Sequence, residues 1–389
     1  MLPYPRVTGF YYGSIYDGVE QLNLRHRNMI LDSSKILSDL KNWSYELGFQ
    51  DLGVASLNVK KDFTQLENWI QNGYHGSMSY LEKNKDKRLD PSKLVPDTAC
   101  IITVRANYLT EPLDEAVSVL KNSRLAYVSR YALGRDYHKV LRGKLRQLAR
   151  KLNDKIGHFG YRAFTDSAPI LERALARNSG LGWVGKHTNL INKADGSMFF
   201  LGEIFTDLPL NTNSRLKENH CGTCVQCMDV CPTDAIISPY KLDARKCISY
   251  LTIESKDAIP LELRTSIGNR IFGCDDCQLF CPWNKYAKVT SIKDFMPRSG
   301  INSRTLLELF LMNRDDFELL TRGSAIRRIS YEQWVRNLAV ALGNSPYSHD
   351  TLSALNKRKF FPDQMVREHI EWAVTRQEQK QLSSNEQKR

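Results

Sequence analysis

The order of apolar and polar residues predicts that helices and strands alternate between about residues 30 and 210. The segment 33–48, SSKILSDLKNWSYELG, has apolar residues at helical spacing and ends at a glycine suited to a helix C-terminus. Short apolar runs typical of buried strands follow at 51–58, 99–109, 161–167 and 197–205. This part of the chain is therefore predicted to be an α/β or α+β domain.

From about residue 300 the pattern becomes helical. Apolar residues recur at helical spacing in 303–313, 331–344, 349–358 and 362–377. Such helix pairs predict a HEAT-like module over 300–378, although one or two pairs do not establish a repeat. The polar end, 379–389, is predicted to be disordered. Residues 1–28 are either a loosely ordered extension or the product of a start placed upstream of Met29.

Composition narrows the class of protein. The chain has 389 residues, of which 42% are hydrophobic, enough for two or three domains with real cores. It contains no apolar run of about 18 residues, so we expect no membrane-spanning helix. The first residues do not show the basic-then-apolar order of a secretion signal, and we expect a cytoplasmic protein.

The net charge is +12, and basic residues are concentrated around one predicted helix. Between Lys121 and Arg162 there are 12 lysines and arginines but only 2 aspartates. The segment 136–157 puts one face of apolar residues beside one of basic residues: Leu141, Leu145, Leu148, Leu152 and Ile156 against Lys139, Arg142, Arg146 and Arg150. A basic face without acids favours a phosphate backbone as partner. The alternative is that the charge serves only solubility.

The nine cysteines carry the strongest chemical signal. Cys221, Cys224, Cys227 and Cys231 form C-x2-C-x2-C-x3-C-P, the spacing of bacterial ferredoxins, in which the fourth cysteine ligates the other cluster. Zinc sites and disulfides suit this spacing poorly. A second run has Cys274, Cys277 and Cys281 but Ile271 in place of its first cysteine, so Cys247 is the expected substitute. We therefore predict two [4Fe–4S] clusters: Cys221, Cys224, Cys227 and Cys281 for cluster 1, and Cys231, Cys247, Cys274 and Cys277 for cluster 2.

Two adjacent clusters form an electron relay but do not identify the acceptor. The chain has no P-loop, no good dinucleotide fingerprint and no C-x3-C-x2-C radical-SAM run. The acceptor must be another cofactor or a partner protein. The ninth cysteine, Cys100, lies in an apolar strand and is predicted to be core.

Residues 165–192, joined to both cluster motifs, resemble the epoxyqueuosine reductase family, as do 80–91, 130–142 and 323–344. The resemblance covers about residues 30–345. It implies an α+β protein with a cobalamin-binding α/β domain over 29–212, similar to that of reductive dehalogenases. A ferredoxin-like domain would span 213–290, and the helical module would bind tRNA.

The resemblance also implies the chemistry. Electrons would pass through the clusters to cobalamin, giving Co(I), and the epoxide of epoxyqueuosine in a tRNA anticodon loop would become an alkene with loss of water. Asp166 matches the family's general acid, for which burial would have to raise the pKa. The residues alone favour another role, in which Asp166 and Ser167 cap a helix before Pro169.

Further contacts are expected by resemblance. The loop with Lys186, His187, Thr188 and Asn189 would lie beside the corrin, without a histidine ligand on a base-off cobalt. Arg88 would contact cofactor or tRNA, or else pair with Asp90. Ser129, Arg130, Ser249 and Tyr250 are candidates against ordinary packing, and the turn with Gly273 and Asp275 would bring cluster 2 to the corrin edge.

The expected partners are a tRNA carrying epoxyqueuosine and a low-potential electron donor such as flavodoxin or ferredoxin. The tRNA would meet the basic helix and a C-terminal arginine group of Arg322, Arg327, Arg328 and Arg336. We expect a monomer. The rival hypotheses are a cobalamin-dependent reductive dehalogenase, a non-enzymatic electron-transfer protein, and a nucleic-acid-binding protein with structural clusters.

Overall fold

The computed structural model describes residues 32–212 and 216–386. In chain order, the strands are β1 Asp51–Ala55, β2 Cys100–Asn107, β3 Tyr127–Val128, β4 Tyr161–Phe164, β5 Trp183–Val184, β6 Leu190–Ile191, β7 Phe199–Thr206, β8 Ile236–Ser238, β9 Lys241–Leu242 and β10 Arg270–Phe272. The helices are α1 Ser33–Glu46, α2 Lys60–Gln71, α3 Lys85–Leu89, α4 Leu113–Lys121, α5 Tyr137–Ile156, α6 Glu172–Asn178, α7 Gln226–Asp229, α8 Leu261–Ile267, α9 Asp276–Leu279, α10 Leu306–Leu311, α11 Arg314–Thr321, α12 Tyr331–Asn344, α13 His349–Lys357 and α14 Gln364–Glu386.

The N-terminal part is built on a four-stranded sheet in the order β1-β2-β7-β4. The four strands predicted there are confirmed, but every neighbouring pair is antiparallel, so this part is α+β rather than α/β. Alternate residues of β2 face opposite sides, as strand geometry requires. Ile102 and Val104 join the core with α1 and α5, whereas Ile101 packs with α6 on the other face.

The basic helix α5 lies across this sheet. Asp136 caps its first turn by accepting a hydrogen bond from the backbone of His138, and the helix ends before Gly157. Leu141, Leu145, Leu148 and Leu152 are at most 1% exposed, which confirms the predicted apolar face, although Ile156 is only partly buried.

The remaining parts share one core with the sheet. Short helices α7 and α9 contact each other in the ferredoxin-like region, and β10 pairs with β3 of the N-terminal part. Helix α12, almost wholly buried, packs against α14, α10 and β10. The predicted helices from 306 onwards are therefore present, but they do not stand apart as a module.

Two terminal predictions have different outcomes. Helix α14 continues to Glu386, so 379–386 is helical rather than disordered as predicted. The predicted extension 1–28 and the last residues 387–389 lie outside the described residues. Over the described ranges, no helix has both the length and the apolar character needed to cross a membrane.

Candidate active site and cluster-binding regions

The four cysteines assigned to cluster 1 line one cavity of about 250 Å³. Lys186 holds its rim, because Nζ donates to the carbonyl oxygens of Gly222 at 2.7 Å and Cys224 at 2.9 Å. Burial, followed by the neighbouring thiols of Cys281, Cys221 and Cys224, raises the pKa of Cys227 to about 11. Four thiols around one cavity are the donor set that a [4Fe–4S] cube requires.

The cysteines assigned to cluster 2 also converge. Burial raises the pKa of the Cys277 thiol well above its ordinary value, and the nearby Cys247 and Cys231 act in the same direction. Cys274 likewise lies near Cys247 and Cys277. The structure thus brings together both predicted sets, including Cys247 from outside the ferredoxin run. Cys100 is buried in β2, 3.2 Å from the carbonyl oxygen of Leu208, which confirms its core position.

The turn after β10 is fixed by a buried network of hydrogen bonds to Asp275. Its carboxylate accepts hydrogen bonds from the Ser129 hydroxyl at 2.5 Å and the Arg130 backbone at 2.8 Å. Arg130 is 1% exposed and pairs with Glu111. The predicted cofactor contacts of Ser129, Arg130 and Asp275 stay a prediction, and the structure shows the bonds that these three groups make within the protein. They position the turn, where a Cβ at Gly273 would lie 2.6 Å from that of Ser129.

Lys186 and His187 of the loop 185–189 line the cluster 1 cavity, and the corrin-side position of this loop stays a prediction. His187 is buried and lines that cavity, and its Nδ1 accepts from the backbone N–H of Asn189. Burial lowers the pKa of His187 to about 4, so the imidazole is neutral. Thr188 has a positive φ of 70°, and its carbonyl accepts from Arg173.

Two other candidates hold backbone segments, and a third lies beside a cluster cysteine. Arg88 is buried and donates to the carbonyl oxygens of Lys83 and Tyr80, so the alternative ion pair with Asp90 is wrong. The Tyr250 hydroxyl lies 2.8 Å from the backbone nitrogen of Ser77. Ser249 adjoins the Cys247 thiol.

Asp166 lies on the loop between β4 and α6, in a left-handed backbone conformation with φ of 55°. Its Oδ2 accepts a hydrogen bond from the Tyr137 hydroxyl at 2.5 Å and lies 3.0 Å from Nε2 of His138 and 3.6 Å from Arg328. His138 is anchored in turn by Asp136, 2.7 Å from Nδ1. Strained backbone with several converging polar partners is typical of a functional residue.

These contacts overturn the expected direction of the Asp166 pKa. Burial opposes ionisation, but the hydrogen bonds from His138 and Tyr137 and the charge of Arg328 outweigh it, so the pKa lies below its ordinary value. For His138, burial favours the neutral ring, but the hydrogen bonds with Asp136 and Asp166 outweigh it and raise the pKa. The contacts therefore favour the carboxylate form of Asp166 and raise the pKa of the neighbouring His138. The helix-cap alternative for Asp166 and Ser167 is also wrong, because α6 begins at Glu172 with Leu171 before it.

Sequence reasoning missed two carboxyl groups beside this site. Glu172 accepts a hydrogen bond from the backbone N–H of Asp166, and its carboxyl group contacts that of Glu203 on β7. Glu203 is 0% exposed. Glutamate in an apolar strand was the available signal, since SMFFLGEIF places one charge among buried residues.

Six of the predicted tRNA-binding residues are exposed or half-buried and can meet RNA. Lys139, Arg146 and Arg150 are exposed on α5 and Arg142 is half-buried, and none forms an ion pair with a described acidic residue. Arg322 and Arg327 are also exposed.

The prediction for Arg336 is wrong. This side chain is 0% exposed and donates to the carbonyl oxygens of Ser255, Asp257 and Leu251. It joins α12 to the 251–257 segment and has no surface for RNA. Arg328 is half-exposed, but it faces Asp166 and His138 instead of standing with the basic helix.

Comparison with known proteins gives consistent matches. A family profile described as "Epoxyqueuosine reductase QueG, DUF1730" matches residues 88–167, and one described as "4Fe-4S double cluster binding domain" matches 220–284. The chain is 50% identical over 346 residues to epoxyqueuosine reductase from Pseudomonas aeruginosa, covering 89% of this chain and 95% of that relative. It is 48% identical over 348 residues to the Escherichia coli K12 enzyme, covering 89% and 91%.

Solved structures agree in fold. A crystal structure of epoxyqueuosine reductase with an epoxyqueuosine-modified tRNA-Tyr stem loop superposes with a TM-score of 0.80 at 27% identity, covering 89% of this chain and 91% of that one. A Bacillus subtilis epoxyqueuosine reductase, whose catalytic aspartate loop is swung out of the active site, gives a TM-score of 0.80 at 28% identity over the same shares.

Proposed function

This chain belongs to the epoxyqueuosine reductase family, and we propose from that premise that its substrate is reduced in the cleft beside Asp166. The protein is an oxidoreductase that modifies tRNA by reducing epoxyqueuosine to queuosine. The observation that carries the location is the convergence of Tyr137, His138 and Arg328 on one strained aspartate.

The residues present fit two [4Fe–4S] clusters, with the cysteine sets given above as ligands. We propose that cobalamin binds between Asp166 and cluster 2. The charges of Asp166 and of Asp275, which lies in the turn that carries Cys274, both act on the Tyr131 hydroxyl, so Tyr131 lies near both groups. Cobalamin, when bound, supplies a low-valent cobalt that delivers electrons to the epoxide.

The corrin environment follows from the side chains of this cleft. We propose that the turn at Gly273 brings cluster 2 close to the cofactor, with Arg88 and Tyr250 holding the walls. We also propose a base-off cobalt without a histidine ligand. His138 is engaged with Asp136 and Asp166, and His187 lies at the cluster 1 cavity. The likeness of this part to reductive dehalogenases stays a prediction.

Asp166 acts in this proposal as the acid that protonates the departing epoxide oxygen. Tyr137 holds Oδ2 in place, and His138, whose pKa is raised, supplies the proton that the resting carboxylate lacks. Arg328 stabilises the negative charge that develops on the oxygen.

The tRNA is proposed to approach along α5. This helix starts at the active site with Tyr137 and His138, and its exposed residues Lys139, Arg146 and Arg150 lead away from it. Phosphate contacts there, together with Arg142, Arg322 and Arg327, would hold the anticodon loop while the modified base enters the cleft. A low-potential flavodoxin or ferredoxin as donor, a monomeric state and a cytoplasmic location remain predictions.

The test compares D166N with wild type, both loaded anaerobically with cobalamin and iron–sulfur clusters. D166N should retain both cofactors by absorption spectroscopy but convert epoxyqueuosine in tRNA about 10²–10⁴-fold more slowly, the usual contribution of a general acid. Wild-type conversion by D166N would refute the acid assignment. A protein that binds cobalamin but reduces only small halogenated compounds would instead support the dehalogenase hypothesis.

A further inference from the structure

We propose that the carboxyl pair formed by the partly buried Glu172 and the fully buried Glu203 stores the second proton that the reduction consumes and passes it to Asp166. This inference rests on the proposed role of Asp166 as proton donor. It adds a proton-supply role for two residues that do not touch the substrate.

The reaction balance requires a second proton. Converting an epoxide to an alkene breaks both carbon–oxygen bonds, and the oxygen leaves as water. Two electrons enter from the low-potential donor protein through the clusters, and the oxygen takes up two protons. A protonated carboxyl group carries only one proton, so Asp166 must be protonated again within each turnover.

The geometry places the pair directly behind Asp166. Glu203 lies on β7 opposite Phe164, the last residue of β4 and two residues before Asp166. Neither carboxyl oxygen of Glu203 has a hydrogen-bond partner among the described protein donors. The contacting group is the Glu172 carboxyl, whose Oε1 accepts the backbone N–H of Asp166.

A carboxylate in the position of Glu203 would be costly, because burying an unpaired charge costs several kcal/mol or more. Two adjacent carboxyl groups avoid this cost by sharing a proton, and the titration then belongs to the pair. The titratable and charged groups near Glu172 are Asp166, His138, Arg173 and Glu203. Burial, followed by the Asp166 charge, raises the pKa of Glu172 to about 7, so a proton is held and can be released near neutrality.

The path to Asp166 follows from the same contacts. Hydrogen bonds from Tyr137 and His138 keep Asp166 ionised at rest, so it is the nearest base for a proton leaving the pair. Glu203 is 0% exposed, and the neighbouring Glu172 carboxyl links it to Asp166.

The experiment measures single-turnover conversion of epoxyqueuosine in tRNA as a function of pH. In wild type the rate should fall as pH rises through about 7, where the pair loses its proton. E203Q removes the shared proton. The fall in rate should therefore begin at a lower pH, and the rate above neutrality should drop about tenfold or more. E172Q keeps an oxygen acceptor for the Asp166 N–H but cannot transfer a proton, and its rate should fall similarly. E115Q, an exposed residue on α4, is the charge-matched control and should behave as wild type.

A second readout does not depend on turnover. Infrared spectra of the protein without cobalamin should show the carbonyl stretch of a protonated carboxylic acid that shifts in D₂O, present in wild type and D166N but lost in E203Q. Wild-type rates and pH profiles in both E203Q and E172Q would overturn the proton store, even with D166N inactive. If D166N itself turns over normally, the proposed acid fails instead.

Discussion

At the scale of single residues, Asp166 illustrates how contacts set the protonation of a catalytic group. Burial alone would favour a neutral carboxyl, but three donors around it favour the carboxylate. In our proposal the proton is therefore kept nearby, in the glutamate pair, rather than on Asp166 itself. Cofactor and substrate binding would have to weaken these contacts for Asp166 to carry the proton.

The raised pKa values of Glu172 and Glu203 predict a pH-dependent stability. The folded state holds protons that the unfolded chain releases above its ordinary glutamate pKa, so their stabilising effect is full below about pH 4.5 and is lost as pH rises through about 7. This amounts to a loss on the order of 3 kcal/mol. In urea unfolding of the cofactor-free protein, wild type should lose more stability between pH 5 and about pH 8 than E203Q does. Parallel losses in the two proteins would show that the pair is not protonated.

At the scale of elements, much of the fold follows from periodicity. The β2 and β7 runs, the apolar face of α5 and the whole of α12 could be predicted because each is long and regularly patterned. The two-residue strand β3 and its parallel partner β10 could not, because pairing between residues 127 and 270 depends on tertiary contacts.

The same limit applies to the site. The cluster cysteines follow from spacing, but the partners of Asp166 lie 28, 29 and 162 residues away along the chain, a relation that no local pattern reveals. For Arg336, the sequence predicted a functional role that the structure does not support. Its charge indicated a surface role, whereas the buried carbonyl groups of the 251–257 segment determine its position.

The crossed ligand sets give a prediction about the two ferredoxin elements. C281S should lose cluster 1 and C231S should lose cluster 2. Each of these cysteines ends one cysteine run in the sequence but lies near the cysteines assigned to the cluster of the other run. Anaerobically purified variants should each contain about half the wild-type iron, with distinct electron paramagnetic resonance signals remaining. C100S is the control and should keep all the iron. If C281S and C231S lost the same cluster, the assignment would be wrong.

At the scale of the whole molecule, electrons and RNA are expected to approach from separate surfaces. The cysteines assigned to cluster 1 line a cavity that includes the exposed Cys224, whereas the four assigned to cluster 2 are all partly buried. We therefore propose that electrons pass from the donor to cluster 1, then to cluster 2 and to the active site. The exposed face of α5 starts at the active site and remains available to tRNA.

This arrangement predicts that RNA binding and stability can be separated by mutation. Replacing Lys139, Arg146 and Arg150 with alanine should weaken tRNA binding and reduce the slope of log K against log salt by about 0.7–0.9 for each phosphate that is no longer neutralised, with the unfolding midpoint nearly unchanged. R336M should lower the stability without changing the salt dependence of tRNA binding. It leaves buried carbonyl groups without donors and should destabilise the fold by about 3 kcal/mol, while folded protein keeps its salt slope. Fluorescence titrations of an anticodon stem loop at several salt concentrations, with urea unfolding of each variant, measure both effects. An unchanged slope in the triple variant would place the tRNA on another face, because phosphate neutralisation is the only source of that slope in this proposal.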